Sequence, residues 1–191
     1  AISFVDGEGG FYEGIIQETG KKKCVIQILK NKQGFNKRSF NLHIAIAPTK
    51  NTNRLEWFLE KETEIGIDEI TPIICHHSER RHLKTDRLRK IVIAAMKQSL
   101  KAYLPILHEP LSFKQFMQLH RTTEVKYIAQ GAESIALKDN YSLQKDVLLL
   151  IGPEGDFSKD ELALAYQHGF QGVHMGKSRL RTETAGIVAC H

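Results

Sequence analysis

The segment VLLLIGPEGDFS at residues 147–158 gives the clearest structural signals in this chain. Its leading apolar residues end at a Gly-Pro pair, and a short run of this kind is typical of a strand buried on both faces of a parallel sheet. Ser158 stands three residues before Glu161, a spacing that predicts a capping box at the start of a helix. We therefore predict a buried strand, a glycine-containing loop and a helix in succession.

A second unit of the same kind follows directly. Gly169 predicts the end of the first helix, and residues 172–175 (GVHM) predict another short strand. The basic loop 176–181 (GKSRLR) comes next, and residues 182–185 (TETA) indicate the start of a last helix. In open α/β sheets, ligands bind where loops leave the carboxyl ends of the strands. The two glycine-containing loops are therefore the candidate binding region.

Strand and helix patterns alternate from residue 41 onward. Apolar runs at residues 42–47, 70–74 and 125–129 predict strands separated by amphipathic segments. This alternation favours an α/β fold with a parallel sheet and helices on both faces.

Polar residues mark the predicted helix ends in this half of the chain. We expect Asn53 to cap the first helix, with Glu56 as its reciprocal partner, and Gly66 to end it. Thr85 or Asp86 is expected to cap a long second helix. Ser112 and Gln115 have the capping-box spacing and predict a third helix.

Residues 1–40 have a different pattern, with alternating apolar residues and strong turn signals such as DGEGG at 6–10. We expect them to form a β domain of their own, followed by a second domain at residues 41–191. The first residues lie inside a predicted element and the last lie just inside a helix. We therefore expect further residues at both ends.

Composition narrows the functional classes. The 191 residues carry a net charge of +5 with a pI near 9.1, which fits either an anionic partner such as nucleic acid or an ordinary soluble surface. We predict neither a membrane span nor a signal peptide. Three scattered cysteines fit a reducing, cytoplasmic location. No second ligand pair accompanies Cys75-His76-His77 at zinc-like spacing, so no metal site is expected.

Several common catalytic motifs are missing from the sequence. The loop at residues 152–155 (GPEG) lacks the Lys-Ser/Thr that ends a phosphate-binding P-loop, and no G-x-G-x-x-G motif opens a helix. A G-x-S-x-G nucleophile elbow is absent as well. Nucleotide hydrolysis, dinucleotide binding and serine hydrolase chemistry are therefore disfavoured.

Residues 151–158 (IGPEGDFS), read together with residues 175–185 (MGKSRLRTETA), resemble the paired signature of the SPOUT methyltransferases. The closest likeness is to the family that methylates N3 of a uridine in small-subunit (16S) ribosomal RNA. Residues 47–50 (APTK), 60–66 (EKETEIG) and 95–99 (AMKQS) are also similar to that family. Asp156 departs from the pattern, because many members have a second glycine there.

The resemblance implies a SPOUT-type parallel sheet with a C-terminal trefoil knot, preceded by a partial PUA-like β-barrel at residues 1–40. It implies S-adenosyl-L-methionine as cofactor, small-subunit ribosomal RNA or the assembled small subunit as partner, and a homodimer. Two alternatives stay open. One is a 2′-O-ribose methyltransferase of the same superfamily, and the other is a non-catalytic RNA-binding factor.

The resemblance also assigns site residues. In catalysis, Arg181 is the first choice to stabilise charge on the base and Arg179 the second, while Glu154 or Glu183 takes the proton or holds the arginine. Residues expected to bind the cofactor are Ala129, Leu150, Ile151, Gly152, Gly155, Met175, Gly176, Ser178 and Leu180. Residues expected to bind RNA are Arg54, Lys61, Arg80, Arg81, Lys97, Lys101 and Arg179.

Structural roles compete with several of these assignments. Glu183 could simply cap the last helix, where a carboxylate is favoured by the helix dipole. Arg54 with Glu56 or Glu60, and Lys61 with Glu64, have the spacing of ordinary ion pairs on a helix surface.

Overall fold

The computed structural model describes residues 1–119, 123–131, 134–140 and 144–191. The strands are β1 Ile2–Val5, β2 Phe11–Thr19, β3 Cys24–Lys32, β4 Leu42–Ile46, β5 Glu69–Ile74, β6 Ile106–Leu107, β7 Leu111–Ser112, β8 Val125–Ala129, β9 Ile135–Ala136, β10 Val147–Ile151 and β11 Gln171–His174. The helices are α1 Thr52–Ile65, α2 Thr85–Ser99, α3 Phe113–Gln118, α4 Leu137–Asn140, α5 Lys159–Gln167 and α6 Thr182–Cys190.

The strands form two sheets. The first is antiparallel with the order β1-β2-β3, which fits part of a barrel. The second has the order β6-β5-β4-β10-β8-β11-β9, with β7 beside β5, and its described pairings are parallel. The predicted parallel α/β sheet is therefore confirmed. The domain boundary near residue 40 and the trefoil knot stay predictions.

The segment from Ala102 to Leu104, which leads into β6, forms hydrogen bonds with the turn between β1 and β2 of the first sheet. Gly9 N donates to Ala102 O at 2.8 Å, and Leu104 N donates to Gly7 O at 2.9 Å. Both glycines have positive φ, which the tight turn between β1 and β2 requires.

Strand β10 lies inside the parallel sheet, between β4 and β8, and all five of its residues are buried. Leu149 and Ile151 contribute to a core cluster with residues of α1 and α2, against which α6 also packs. Leu148 and Leu150 contribute to a second cluster on the other face, with residues of α3 and α5. The strand is buried on both faces as predicted, because helices cover both sides of the sheet.

Both predicted capping boxes are present. Ser158 Oγ accepts from Glu161 N, and the Glu161 side chain accepts from Ser158 N at 2.9 Å. Ser112 and Gln115 form the same reciprocal pair at α3. Each box satisfies backbone N–H groups that a helix start would otherwise leave unpaired. Gly66 ends α1 as predicted.

Two other predicted caps are wrong. Helix α1 is capped by Asn51, whose side chain accepts from Asn53 N at 3.0 Å, so Asn53 lies inside the helix. Helix α2 has Lys84 at its N-cap and no side-chain hydrogen bond there, so neither Thr85 nor Asp86 caps it. In both cases the helix begins before the expected residue. Among the described residues, no helix is both long and apolar enough to cross a membrane.

Candidate functional site

A cleft of about 720 Å³ opens at the carboxyl edge of the parallel sheet. Its floor is formed by the ends of the three adjacent strands β8, β10 and β11, through Ala129, Ile151 and His174. The loops that follow β10 and β11 form its walls. The site-residue predictions that fall on its lining are Arg54, Ala129, Ile151, Gly152, Glu154, Met175, Gly176, Ser178, Arg179, Leu180 and Arg181.

A hydrogen bond joins the two walls. The hydroxyl of Thr182, the first residue of α6, donates to Gly152 O at 3.1 Å. Thr182 is buried, so water competes little for this bond. The two glycine-containing loops are thus held against each other around one cleft.

Glycines leave space inside this cleft. A Cβ added to Gly131 or Gly176 would meet no atom within 4 Å, and Gly176 has a φ of +118° that side-chain-bearing residues rarely adopt. The main chain of a ligand-facing loop can therefore approach a bound molecule closely at both positions.

Asp156, which stands where the resemblance led us to expect glycine, has a positive φ of 64°. Aspartate tolerates this left-handed conformation better than most residues. Its carboxylate accepts from Phe157 N at 2.8 Å, and its carbonyl oxygen lies 3.0 Å from His77 Nδ1. The departure from the expected glycine is thus accommodated locally.

Two predicted cofactor residues do not line the cleft. The Leu150 side chain is fully buried in the core cluster on the opposite face from Ile151, because successive residues of a strand point to opposite faces. The prediction that the Leu150 side chain forms a wall of the cleft is therefore wrong. Gly155 lies beside the loop after β5, where an added Cβ would come within 3.0 Å of His77 Cβ.

Cationic side chains outnumber anionic ones along the cleft. Arg54, Lys177, Arg179 and Arg181 line it, against Glu154 and Asp156. Arg181 is exposed and occupies the N-cap position of α6. The net positive rim suits an anionic ligand.

Glu183 lies behind this rim. It is only 5% exposed, and its Oε1 is 3.6 Å from Arg54 Nε. Its Oε2 has no hydrogen-bond partner among the described residues. Glu183 is the acidic residue of the first turn of α6, where the helix dipole favours a carboxylate, and Arg181 at the N-cap makes no side-chain capping hydrogen bond.

Arg54 therefore pairs with Glu183 of α6 and not with the neighbouring carboxylates of α1. The predicted surface pair with Glu56 is wrong, because Glu56 accepts two hydrogen bonds from Arg87, at 2.6 and 2.9 Å. The predicted pair of Lys61 with Glu64 is confirmed at 3.0 Å.

Glu154 is held at the mouth of the cleft. Its Oε1 accepts from Lys50 N at 3.0 Å, and Lys50 O accepts from the Arg80 guanidinium at 2.8 Å. The loops after β4, β5 and β10 are therefore fastened together at one edge of the sheet. Among the described residues, no hydrogen bond engages the other carboxylate oxygen of Glu154, Oε2.

Residues 36–191 match the model of the RNA methyltransferase domain family. This chain belongs to that family. The match covers the parallel sheet and both walls of the cleft, and it confirms the likeness to SPOUT methyltransferases found in the sequence.

Relatives of the RNA methyltransferase domain agree with this assignment. Ribosomal RNA small subunit methyltransferase E of Mesomycoplasma hyopneumoniae is 29% identical over 168 residues, covering 84% of this chain and 72% of that protein. A probable rRNA-methyltransferase from Porphyromonas gingivalis is 42% identical with a TM-score of 0.89, covering 99% of this chain and 81% of its own. Ribosomal RNA small subunit methyltransferase E of Neisseria gonorrhoeae, solved bound to S-adenosyl methionine, is 26% identical with a TM-score of 0.90, covering 99% and 80%.

The predicted RNA-binding residues occupy different parts of this RNA methyltransferase domain. Arg54 and Arg179 line the cleft, and Arg80 and Arg81 lie in the loop after β5. Lys101 Nζ donates to Ile65 O, eleven residues along α1 from Arg54, which places it roughly 16 Å away along the helix axis. Lys97 is exposed on the last turn of α2, and Lys61 is held by Glu60 and Glu64.

Sequence reasoning missed several residues of the cleft. His174 Nδ1 accepts from Gly176 N at 3.0 Å and so shapes the second loop. Gln130 accepts from the Tyr166 hydroxyl at 2.7 Å, which links the end of β8 to α5. Lys177 adds a cation. Their positions directly beside the glycines of the predicted strand ends could have identified them.

Proposed function

We propose that this protein is an S-adenosylmethionine-dependent methyltransferase that modifies N3 of a uridine in small-subunit ribosomal RNA. The observation that carries the proposal is the closure of two glycine-containing loops around one cleft with a cationic rim. The names of the related proteins and the S-adenosyl methionine bound in one of them support it.

The cleft fits the proposed cofactor. Its volume of about 720 Å³ is within the usual range for small-molecule sites. Ile151, Met175 and Leu180 offer apolar walls for an adenine ring, while Gly131 and Gly176 leave the main chain accessible for its polar edge. When bound, S-adenosylmethionine supplies an electrophilic methyl group on a sulfonium sulfur, so the transfer needs no metal.

Arg181 is proposed to stabilise the substrate base. Uridine N3 carries a proton and becomes nucleophilic as that proton leaves, with negative charge spreading to O2 and O4. A guanidinium stays cationic and offers several donors to these oxygens. Arg181 lines the cleft and is exposed, which allows it to reach a base at the mouth, and Arg179 is the second candidate.

The two carboxylates are proposed to have separate roles. Glu154 lines the cleft with Oε1 engaged by Lys50 N, which leaves Oε2 able to accept the N3 proton. Glu183 is buried against Arg54 and outside the lining, so we assign it to positioning Arg54. Arg54 would then hold a phosphate or the base at the rim.

The remaining expectations belong to the same proposal. RNA would follow the rim toward Arg80 and Arg81, because counterion release favours basic loops on phosphates. We also propose a homodimer, a cytosolic location, a trefoil knot around the cleft, and an RNA-binding role for residues 1–40 as a domain separate from 41–191.

Methyl transfer with a labelled donor tests the proposal. Purified protein should label small-subunit RNA or small subunits that lack the modification, and nucleoside analysis should yield 3-methyluridine. A 2′-O-methylated nucleoside would instead assign the protein to ribose chemistry. Absence of S-adenosylmethionine binding by calorimetry would indicate a non-catalytic RNA-binding protein.

Thr182→Val should weaken S-adenosylmethionine binding by about 5–10-fold, the equivalent of roughly 1 kcal/mol for one neutral hydrogen bond. The substitution keeps the side-chain volume but removes the donor that joins α6 to Gly152 O. Calorimetric titration measures the effect. Thr184→Val, two residues along the same helix, is the matched control and should bind like the wild type; equal weakening in both variants would refute the role of the hydrogen bond.

A further inference from the structure

Two histidines and a glutamate meet at the opposite end of the strands from the cleft. His43 lies near the start of β4, Glu69 begins β5, and His108 directly follows β6. His43 and Glu69 are register partners, and His108 N donates to Ile70 O at 2.9 Å. One atom from each side chain lies within 4.8 Å of the other two.

The distances approach those of a metal site. His108 Nε2 is 2.7 Å and His43 Nδ1 is 3.8 Å from the same atom, Glu69 Oε2. Ligands with bonds of about 2.1 Å lie roughly 3.4 Å apart around a tetrahedral ion. The three atoms therefore need only small side-chain adjustments to share one ion.

Neighbouring groups already orient two of the three side chains. His43 Nε2 is 2.8 Å from Thr71 Oγ1, which directs the other ring nitrogen, Nδ1, toward Glu69. Glu69 Oε1 accepts from Asn41 Nδ2 at 2.8 Å, which leaves Oε2 facing the histidines. Outer contacts of this kind fix ring orientation and ligand direction in metalloproteins.

The cluster is only partly buried, so an ion can reach it from solvent. The His43 side chain is 5% exposed, whereas those of Glu69 and His108 are 21% and 33% exposed. The partly open side leaves space for water as a fourth ligand.

We propose that His43, Glu69 and His108 bind Zn²⁺ or a similar divalent transition metal. Two imidazole nitrogens and one carboxylate oxygen are a common zinc ligand set. The ion would clip the three neighbouring strands β4, β5 and β6 together, far from the methyl donor, so its role is structural. Binding would replace the contact between His108 Nε2 and Glu69 Oε2 by bonds from both atoms to the ion.

Metal titration of the chelator-treated full chain tests this. Adding Zn²⁺ should raise the Tm by about 5 °C at saturating ion. Co²⁺ should give the visible absorption of a tetrahedral N/O site without a thiolate band, which excludes binding by the exposed Cys24. His108→Ala, a partly exposed position, should lose the shift and weaken zinc binding by at least about 100-fold.

His168→Ala is the matched control, because His168 is exposed, its Nδ1 lies 2.9 Å from Leu164 O, and it is not a member of the cluster. It should keep the full shift. Imidazole ¹⁵N spectra of the wild type provide a readout that needs no variant, since the His43 and His108 resonances should move together at one equivalent of Zn²⁺. Absence of any zinc-dependent shift, or an equal shift in both variants, would overturn the proposal.

Discussion

Replacing Arg181 with alanine should reduce methyl transfer by about 10²–10³-fold while changing S-adenosylmethionine affinity only a few-fold. Arg181 is exposed at the rim of the cleft, at the N-cap of α6, and its main-chain oxygen accepts from Ala185 N at 2.8 Å. The backbone role survives the substitution, so the loss falls on the guanidinium. That group acts on charge that develops on the base during transfer, and the cofactor gains little from it in the ground state.

Single-turnover kinetics and calorimetry separate these two quantities. Arg181→Lys should recover part of the activity, because an ammonium keeps the charge but loses the planar fork of donors. Arg89→Ala is the control for a lost surface arginine, since Arg89 of α2 pairs with Glu109, which lies between β6 and β7. If cofactor binding and transfer fall in parallel in Arg181→Ala, the residue holds the cofactor and its catalytic assignment is wrong.

Local signals in the sequence were sufficient for much of the fold. The capping boxes at Ser158 and Ser112 depend on residues three positions apart, and both form. Strand β10 occupies the predicted residues, because the run is apolar and bounded by Gly152 and Pro153. Contacts that a few neighbouring residues determine can be predicted from a single chain.

Contacts between distant residues could not be predicted. Arg54 of α1 meets Glu183 of α6, and nothing near either residue in sequence indicates the pairing. The cluster of His43, Glu69 and His108 likewise needs three strands in register. The Leu150 side chain was assigned to the wrong face because a fully apolar run conceals the alternation of a strand.

Helix α6 links these distant contacts to the site. Its N-cap residue, Arg181, lines the rim, and its first two residues contact the site: Thr182 donates to Gly152 O, and Glu183 lies against Arg54. Farther along, Gly186 packs so closely on α1 that an added Cβ would lie 2.2 Å from the Phe58 ring. The geometry of the rim therefore depends on how tightly α6 docks on α1.

Glu62 is a buried acid on the helix against which α6 packs. The free energy of unfolding of the wild type should fall at alkaline pH because of Glu62, and Glu62→Gln should remove most of that fall. Glu62 is fully buried on α1, and neither carboxylate oxygen has a hydrogen-bond partner among the described residues. Burial raises the pKa of Glu62 from 4.5 to about 8, although the Cys190 thiol of α6 acts in the opposite direction. The folded protein therefore holds a neutral carboxyl group at neutral pH.

The direction in which the free energy of unfolding changes with pH follows from the number of protons that each state binds. Between about pH 4.5 and about pH 8 the unfolded chain has lost the Glu62 proton while the folded chain keeps it, so the free energy of unfolding falls with rising pH. The contribution is complete below pH 4.5 and lost by about pH 8, at roughly 1.4 kcal/mol per pH unit and up to roughly 5 kcal/mol in all. Glutamine does not titrate, so the variant lacks this slope.

Urea denaturation at pH 5, 7 and 9 measures the effect as the difference between variant and wild type. At pH 5 the variant should be equal or slightly less stable, because a buried amide is also short of partners. At pH 9 it should be more stable by several kcal/mol. Glu60→Gln, a half-exposed position that pairs with Lys61 on the same helix, should shift stability little and equally at each pH. A Glu62→Gln difference that stays constant from pH 5 to 9 would mean that Glu62 is ionised in the folded protein, and that α6 docks over a charge.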